Sequence, residues 1–253
     1  YGGIGGLKTV SVRNMGAAHT AVSYDGVVVS NCQAGQIDIG RFSLDNVSVL
    51  SLNIGQPEDL LQSARMYASA GVLSIETEKP HFENERNSAF RVQMRGGSFG
   101  YVSPSIRWWQ KAGSRTSFSL NGNYPFTLVN GKYVTEEKRN NSAIYTYQIE
   151  PTLFHTFKDS SNLELKAYYF YSKRGLPGSV TLYNPISDET LWDENVFIQT
   201  RYKKDFSQKW FLQAQAKYNH GWNKYEDKGN EYADGLYRAV HRQDEYYLSA
   251  TAL

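Results

Sequence analysis

The sequence predicts a mainly β protein: a partial transmembrane antiparallel β-barrel of about eight strands, preceded by a small α/β unit. Three observations predict it. Long segments alternate strictly between apolar and polar residues, the apolar rows end in tyrosine and tryptophan, and the connections between segments alternate between short and long. Successive side chains on a strand point to opposite faces, so strict alternation means two faces in two different surroundings.

The alternation is clearest from Ser114 to Trp222. Over Thr116 to Tyr124, Phe118, Leu120 and Tyr124 fall on one side and Ser117, Ser119, Asn121 and Asn123 on the other. Tyr145, Tyr147, Ile149 and Leu153 oppose Thr146, Gln148, Glu150 and Thr152. Leu163, Leu165, Ala167, Tyr169 and Tyr171 oppose Glu164, Lys166 and Ser172, and Trp210, Leu212, Ala214, Ala216 and Tyr218 oppose Gln213, Gln215, Lys217 and Asn219. These segments approach the roughly 9–11 residues that a tilted strand needs to cross a bilayer, whereas soluble strands run to about five or six. The lengths 111–115, 158–161 and 205–208 are tight turns, while 125–141, 173–193 and 221–242 are long loops. Short turns on one side and long loops on the other are the habit of outer-membrane barrels.

Residues 1–80 form a different unit. Gly2, Gly3, Gly5 and Gly6 give a pliant start, followed by short β-branched pieces at Thr9–Val12, Thr20–Val22, Val27–Val29, Val47–Leu52 and Val72–Thr77. Glycine at Asn14-Met15-Gly16, Asp25-Gly26 and Ala34-Gly35 supplies the positive φ of tight turns. Asp59–Ala68, behind Pro57, has helical spacing at Leu60, Leu61 and Ala64.

Residues 81–253 supply the wall. Over Ala89–Gly97, Phe90, Val92 and Met94 point outward and Arg91, Gln93 and Arg95 inward, where a charge costs far less than in lipid. Tyr101–Trp109 sets Val102, Ile106 and Trp108 on one side, and Asn195–Tyr202 sets Val196, Ile198 and Tyr202 outward against Gln199 and Arg201. An eighth strand begins near Asp244 and runs into Leu253 without reaching a turn. The chain therefore reads as a fragment of a longer barrel, expected to fold poorly alone because an open sheet leaves unpaired edges in hydrocarbon.

Composition bounds the function. Hydrophobic residues make up 40% and aromatics 14%, with 19 tyrosines, so apolar surface is concentrated in rings. Mean hydropathy is −0.55 and no apolar run approaches a spanning helix, but a spanning strand needs an apolar residue only at alternate positions. A net charge of +2 gives no pull toward nucleic acid, and the single Cys32 rules out an internal disulfide. No G-x-S-x-G, H-E-x-x-H, P-loop or cysteine pair occurs, and His19, His81, His155, His220 and His241 are scattered, so no enzyme is expected. The loop carboxylates Asp188, Glu189, Asp193 and Glu194, and Glu226, Asp227, Glu231 and Asp234, have the oxygen chemistry of a calcium site; solvated loop charge is the plainer reading.

Val10 to Val29, VSVRNMGAAHTAVSYDGVVV, resembles the plug-domain run of TonB-dependent outer-membrane transporters. Ile37–Leu52 and Tyr67–Thr77 resemble the later plug strands in order, while Ile54-Gly55-Gln56-Pro57 and Met66-Tyr67-Ala68-Ser69 depart from the family's Arg-Gly-Pro and Tyr-Gly. The resemblance implies that 1–80 is the C-terminal part of a plug, that 81–253 is the first third of a barrel of about 22 strands, and that the whole sits in the outer membrane of a Gram-negative bacterium. It implies active import of a scarce nutrient driven by the TonB complex, with outer-membrane lipid around the wall. A surface lipoprotein partner would mark a glycan importer of the same family. The AAHTAV and Asp-Gly-Val phrases are most similar to the cobalamin branch, implying a corrinoid such as vitamin B12, with an iron-siderophore or haem receptor, or a passive barrel, as alternatives. Plug apices would lie at 14–19 and 30–36, with Asn14, His19, Asn31, Gln33 and Gln36 facing a ligand, joined by loop aromatics Tyr183, Trp192 and Tyr232 among Tyr133, Tyr225 and Tyr237. Arg13 and Arg65 would latch the plug to the inward carboxylates Glu150 and Glu164.

Overall fold

The computed structural model describes residues 6–31, 35–55, 60–82, 86–127, 141–177, 187–207, 209–228 and 233–253. Two sheets hold all the strands among the described residues. The small sheet contains β1 (Thr20–Tyr24), β2 (Val27–Val29), β3 (Val47–Asn53) and β4 (Gly71–Thr77) in the order β2-β1-β4-β3. β1 and β4 run parallel, and a short helix α1 (Ala64–Tyr67) lies on the way between β3 and β4. The two-residue turn between β1 and β2 is Asp25-Gly26, with φ of 50° and 80°. Two consecutive positive φ values match the right-handed twist of a hairpin, and Asp-Gly is a residue pair that adopts them cheaply.

The large sheet is antiparallel and runs in sequence order: β5 (Ser88–Gly97), β6 (Tyr101–Lys111), β7 (Thr116–Asn123), β9 (Ile144–Thr156), β10 (Asn162–Gly175), β11 (Thr190–Asp205), β12 (Phe211–Asp227) and β13 (Tyr237–Ala252). A two-residue β8 (Phe126–Thr127) bridges β6 and β9. Each long strand pairs with its sequence neighbour, so the connections are hairpins and the sheet is a meander with β5 and β13 at its edges.

The sheet is built inside out relative to a water-soluble protein. On the outer face Val92 is 66% exposed, Tyr246 79% and Leu248 82%. On the inner face Glu150 and Lys166 are fully buried, and Gln199, Gln213, Gln215 and Asn219 are buried with them. Two layers of protein do not cover the Tyr145 and Leu165 rows, which remain 45% and 42% exposed. Burying polar groups against a polar partner while leaving aliphatic rows bare is stable only where the bare rows meet an apolar solvent. Among the described residues no helix is long and apolar enough to cross a membrane.

Several boundaries differ from the sequence expectation. Thr9–Val12 is not a strand, and the helix expected over Asp59–Ala68 is confined to α1, with 56–59 outside the described residues. More tellingly, β11 begins at Thr190, β12 continues to Asp227 and β13 starts at Tyr237, so stretches read as long loops are strand. Their charged residues suggested loop, but ladder hydrogen bonds join backbones and tolerate any solvated side chain beyond the apolar band.

Candidate functional site

The inner face of the large sheet holds the small sheet through three kinds of contact. The first is apolar. Tyr24 on β1 stacks on Phe42 at 4.7 Å between ring centroids, and Tyr168 on β10 stacks on Phe197 of β11 at 4.5 Å. Tyr24 meets both wall rings edge-on, at 6.1 and 6.3 Å. Tyr24 and Phe197 are fully buried, and full burial of such a side chain stabilises by about 1.5–3 kcal/mol. Tyr168, Phe170 and Phe197 occupy inward positions of otherwise polar rows, so the wall carries an aromatic seat for this unit.

The second is a set of side-chain donors that cap the hairpin's backbone. Gln199 donates to the carbonyl of Tyr24 at 3.0 Å, Gln215 to that of Gly26 at 2.6 Å and Lys217 to that of Val28 at 2.6 Å. These are alternate carbonyls, matched by two neighbouring wall strands. The hairpin's exposed backbone is thereby satisfied by the wall instead of by another strand.

The third is ionic. Lys166 on β10 donates to Asp25, to Glu150 of β9 at 2.9 Å and to the Thr77 hydroxyl at 3.1 Å. Asp25 also accepts from the Thr77 backbone N–H at 2.7 Å and its hydroxyl at 2.9 Å, while Glu150 accepts from the Tyr24 hydroxyl and from Asn46 at 2.9 Å. One buried cation thus serves two buried carboxylates, one from each sheet. Burial pushes the Asp25 carboxyl up, but the Lys166 charge and hydrogen bond, with the Thr77 donors, outweigh it and hold the group below the ordinary aspartate value. Burial first, and then the Glu150 charge, raise Tyr24 well above the ordinary phenol value, so its proton stays in the bond to Glu150. A second node joins Glu245 of β13 to Ser30, to Arg65 at 3.4 Å and to Lys217 at 3.6 Å. A third joins Arg107 to Glu78 and the Asp45 carbonyl, and Arg95 to Asp45.

Space remains on both sides of this interface. Toward the short turns an 810 Å³ cavity lies among Asp25, Ser51, Glu76, Glu164, Arg201 and Gln213. Toward the long connections a cleft of 110 Å³ is bordered by Lys8, Asp38, Arg41, Phe170 and Arg174. Beside it a 40 Å³ cleft is bordered by Ser30, Asn31, Asn195, Trp222, Asn223 and Gln243, sharing Arg41 and Phe170 with the first.

The residues singled out from sequence fall as follows. Asn31 borders the smaller cleft; Gln36 is half-buried nearby in sequence; Asn14 (φ 58°) is exposed on the loop, and His19 on the 3-10 turn (Ala17–His19), that lead into β1. Gln33, Tyr183 and Tyr232 lie outside the described residues. Trp192 is not in a loop but on β11, its ring 3.8 Å from the Lys224 ammonium and 5.6 Å from that of Lys173. The expected latches are paired differently. Arg13 is exposed at φ 50° with no ion pair among the described residues, and Arg65 meets Glu245. Glu150 takes Lys166, and Glu164 takes Arg201 at 2.7 Å. The reason is reach: lysine and arginine on an adjacent wall strand sit directly beside these carboxylates, whereas both expected arginines lie elsewhere on the unit.

Of the carboxylates considered for calcium, Asp193 and Glu226 are engaged, and Glu231 lies outside the described residues. Asp193 accepts from Arg174 at 3.0 Å, and Glu226 from Lys224 at 3.2 Å and Arg238 at 2.8 Å, all on strands. Among the described residues no three His, Cys, Asp or Glu side chains converge as a metal site. Sequence reasoning missed Asp25, taken only as a turn residue, and Lys166 and Lys217, seen only as polar members of alternating rows.

No family model matches the chain. Solved structures do. The copper transporter OprC matches at a TM-score of 0.71 and 14% identity over 93% of this chain and 35% of that one. The FrpB iron transporter of Neisseria meningitidis matches at 0.65 and 15%, over 92% and 38%. The siderophore receptor PiuA of Acinetobacter baumannii matches at 0.62 and 11%, over 92% and 34%. The chain therefore spans little more than a third of the length of the structures it matches, and has their fold: a partial antiparallel β-barrel with a small α/β unit seated inside its wall.

Proposed function

We propose that residues 1–80 are the C-terminal part of a plug and 81–253 the first wall strands of a TonB-dependent transporter in a Gram-negative outer membrane, importing a scarce nutrient. The observation that carries this reading is the inner face of the wall. Its buried lysines, glutamines and carboxylates are spent on holding a separate small sheet in place, while its outer face is left apolar. A stoppered polar lumen conducts nothing until the stopper shifts. Every polar contact across the interface is a hydrogen bond or ion pair, which an energised pull can break and which reforms without chemistry.

The ligand we favour is a ferric siderophore. Lys8, Arg41 and Arg174 gather with Phe170 at the cleft on the long-connection side, suiting an anionic ligand with flat rings, and solved proteins of this fold are named as siderophore receptors. A corrinoid is the second reading, favoured by the neutral amides of Asn31, Asn195, Asn223 and Gln243 in the adjoining cleft. Equilibrium binding of the full-length protein to ferric enterobactin and to cyanocobalamin separates the two. Saturable binding of the first, weakened by Arg41→Ala, supports the siderophore; saturable binding of cyanocobalamin alone selects the corrinoid. Uptake that persists in cells lacking TonB would overturn active import.

A further inference from the structure

The outer face carries a cavity that plug and transport do not use. It measures 590 Å³ and lies at the short-turn end of the wall, bordered by Arg115, His155, Phe157, Lys158, Asp159 and Tyr202. Its floor is aromatic: Phe157 meets His155 edge-on at 4.6 Å and Tyr202 at 6.3 Å. Cross-strand register sets His155 and Tyr202 on either side of Leu163, one row below Leu165, so the cavity is continuous with the bare apolar face. Its rim is basic. Arg115 and Lys158 are exposed, and neither has an acidic partner among the described residues. The one carboxylate there, Asp159, already accepts from Lys204 at 2.7 Å and from the Ser161 hydroxyl at 2.7 Å, and the Lys204 bond above all holds it well below the usual aspartate range. The opposite end of the outer face differs, because Lys224 and Arg238 there share Glu226.

Two unneutralised cations beside an aromatic floor, at the margin of a lipid-facing surface, have the chemistry of a headgroup site: the rings sit at the interface and the cations take a phosphate. We propose that this cavity binds the headgroup of an anionic glycerophospholipid, its phosphate on Arg115 and Lys158 and its acyl chains along Leu163, Leu165 and Leu153. The inference rests on the reading that the outer face meets lipid, and on the short turns lying at the inner leaflet.

The test uses the full-length protein in detergent, titrated with phosphatidylglycerol or phosphatidylcholine of the same chains, with bound lipid counted by native mass spectrometry. Wild type is expected to retain phosphatidylglycerol preferentially. Arg115→Gln with Lys158→Gln should reduce that preference on the order of 30-fold, about fivefold for each cation removed. Lys209→Gln, on the next short turn and outside the cavity, should leave it intact. Equal retention of the two lipids by wild type, or an unchanged preference in the double variant, would overturn the headgroup site while leaving transport untouched. Failure of wild type to resist urea extraction from phospholipid vesicles would instead refute the lipid-facing wall itself, and this proposal with it.

Discussion

Replacing Lys166 by methionine tests the ionic centre of the interface with little change of volume. Lys166 and Glu150 are fully buried and Asp25 is 3% exposed, so the methionine leaves two buried carboxylates facing each other with no cation between them. Removing one partner of a buried ion pair costs about 3–5 kcal/mol, and two buried carboxylates lose their cation here, so the upper end of that range applies. At tenfold per roughly 1.4 kcal/mol, the undocked fraction of the plug should rise on the order of 10³-fold or more. Asp25→Asn should be much milder, about 1–3 kcal/mol, because Glu150 keeps Lys166 at 2.9 Å. The triple variant Lys166→Met, Asp25→Asn, Glu150→Gln removes the stranded charge and should recover most of the loss. Limited proteolysis of the plug in the membrane-inserted full-length protein reads the undocked fraction directly. The reasoning is refuted if Lys166→Met is cleaved no faster than wild type, or if the triple variant is cleaved as fast as the single.

Phe197→Ala empties the aromatic seat under Tyr24 and should cost about 3–5 kcal/mol of plug docking, seen in the same assay. Leu248→Arg, at an 82% exposed outer position, should destabilise the inserted wall by about 2–4 kcal/mol if that position lies near the bilayer midplane; urea unfolding in vesicles measures this. The Asp25 carboxyl is held below its ordinary 3.8, so its contribution is fully present above that value and fades as pH falls through the depressed one. The Asp25 share of plug protection should therefore persist from neutrality to about pH 4 and decline only below it, and a change between pH 5 and 7 would implicate another group.

The fold was legible because alternation depends on side chains alone. Phe118 against Ser119 and Leu165 against Lys166 announce two solvents, and the hairpin turns follow from chain geometry. Strand ends were not legible, since Asp193, Lys224 and Arg242 extend the ladder above the apolar band without any hydrophobic signal. The inward direction of Glu150 and Glu164 was legible, but their partners were not. Lys166 lies 16 residues from Glu150 in sequence and Asp25 lies 125 residues from it, and only the register of β9 with β10 and the docking of the hairpin bring all three together. The inward aromatics Tyr168, Phe170 and Phe197 interrupt polar rows, a sequence mark of a seat for a second body that the alternation alone does not single out.

The account stands or falls on which face of the wall meets lipid. Single cysteines introduced from Leu163 to Ser172 in a Cys32→Ser background of the full-length protein, labelled with a fluorophore and reconstituted with brominated lipid, would report it residue by residue. A period of two is predicted, with positions 165, 167, 169 and 171 quenched and 164, 166, 168 and 170 shielded by the plug. Uniform quenching, or quenching confined to the even positions, would contradict a lipid-facing wall stoppered from within.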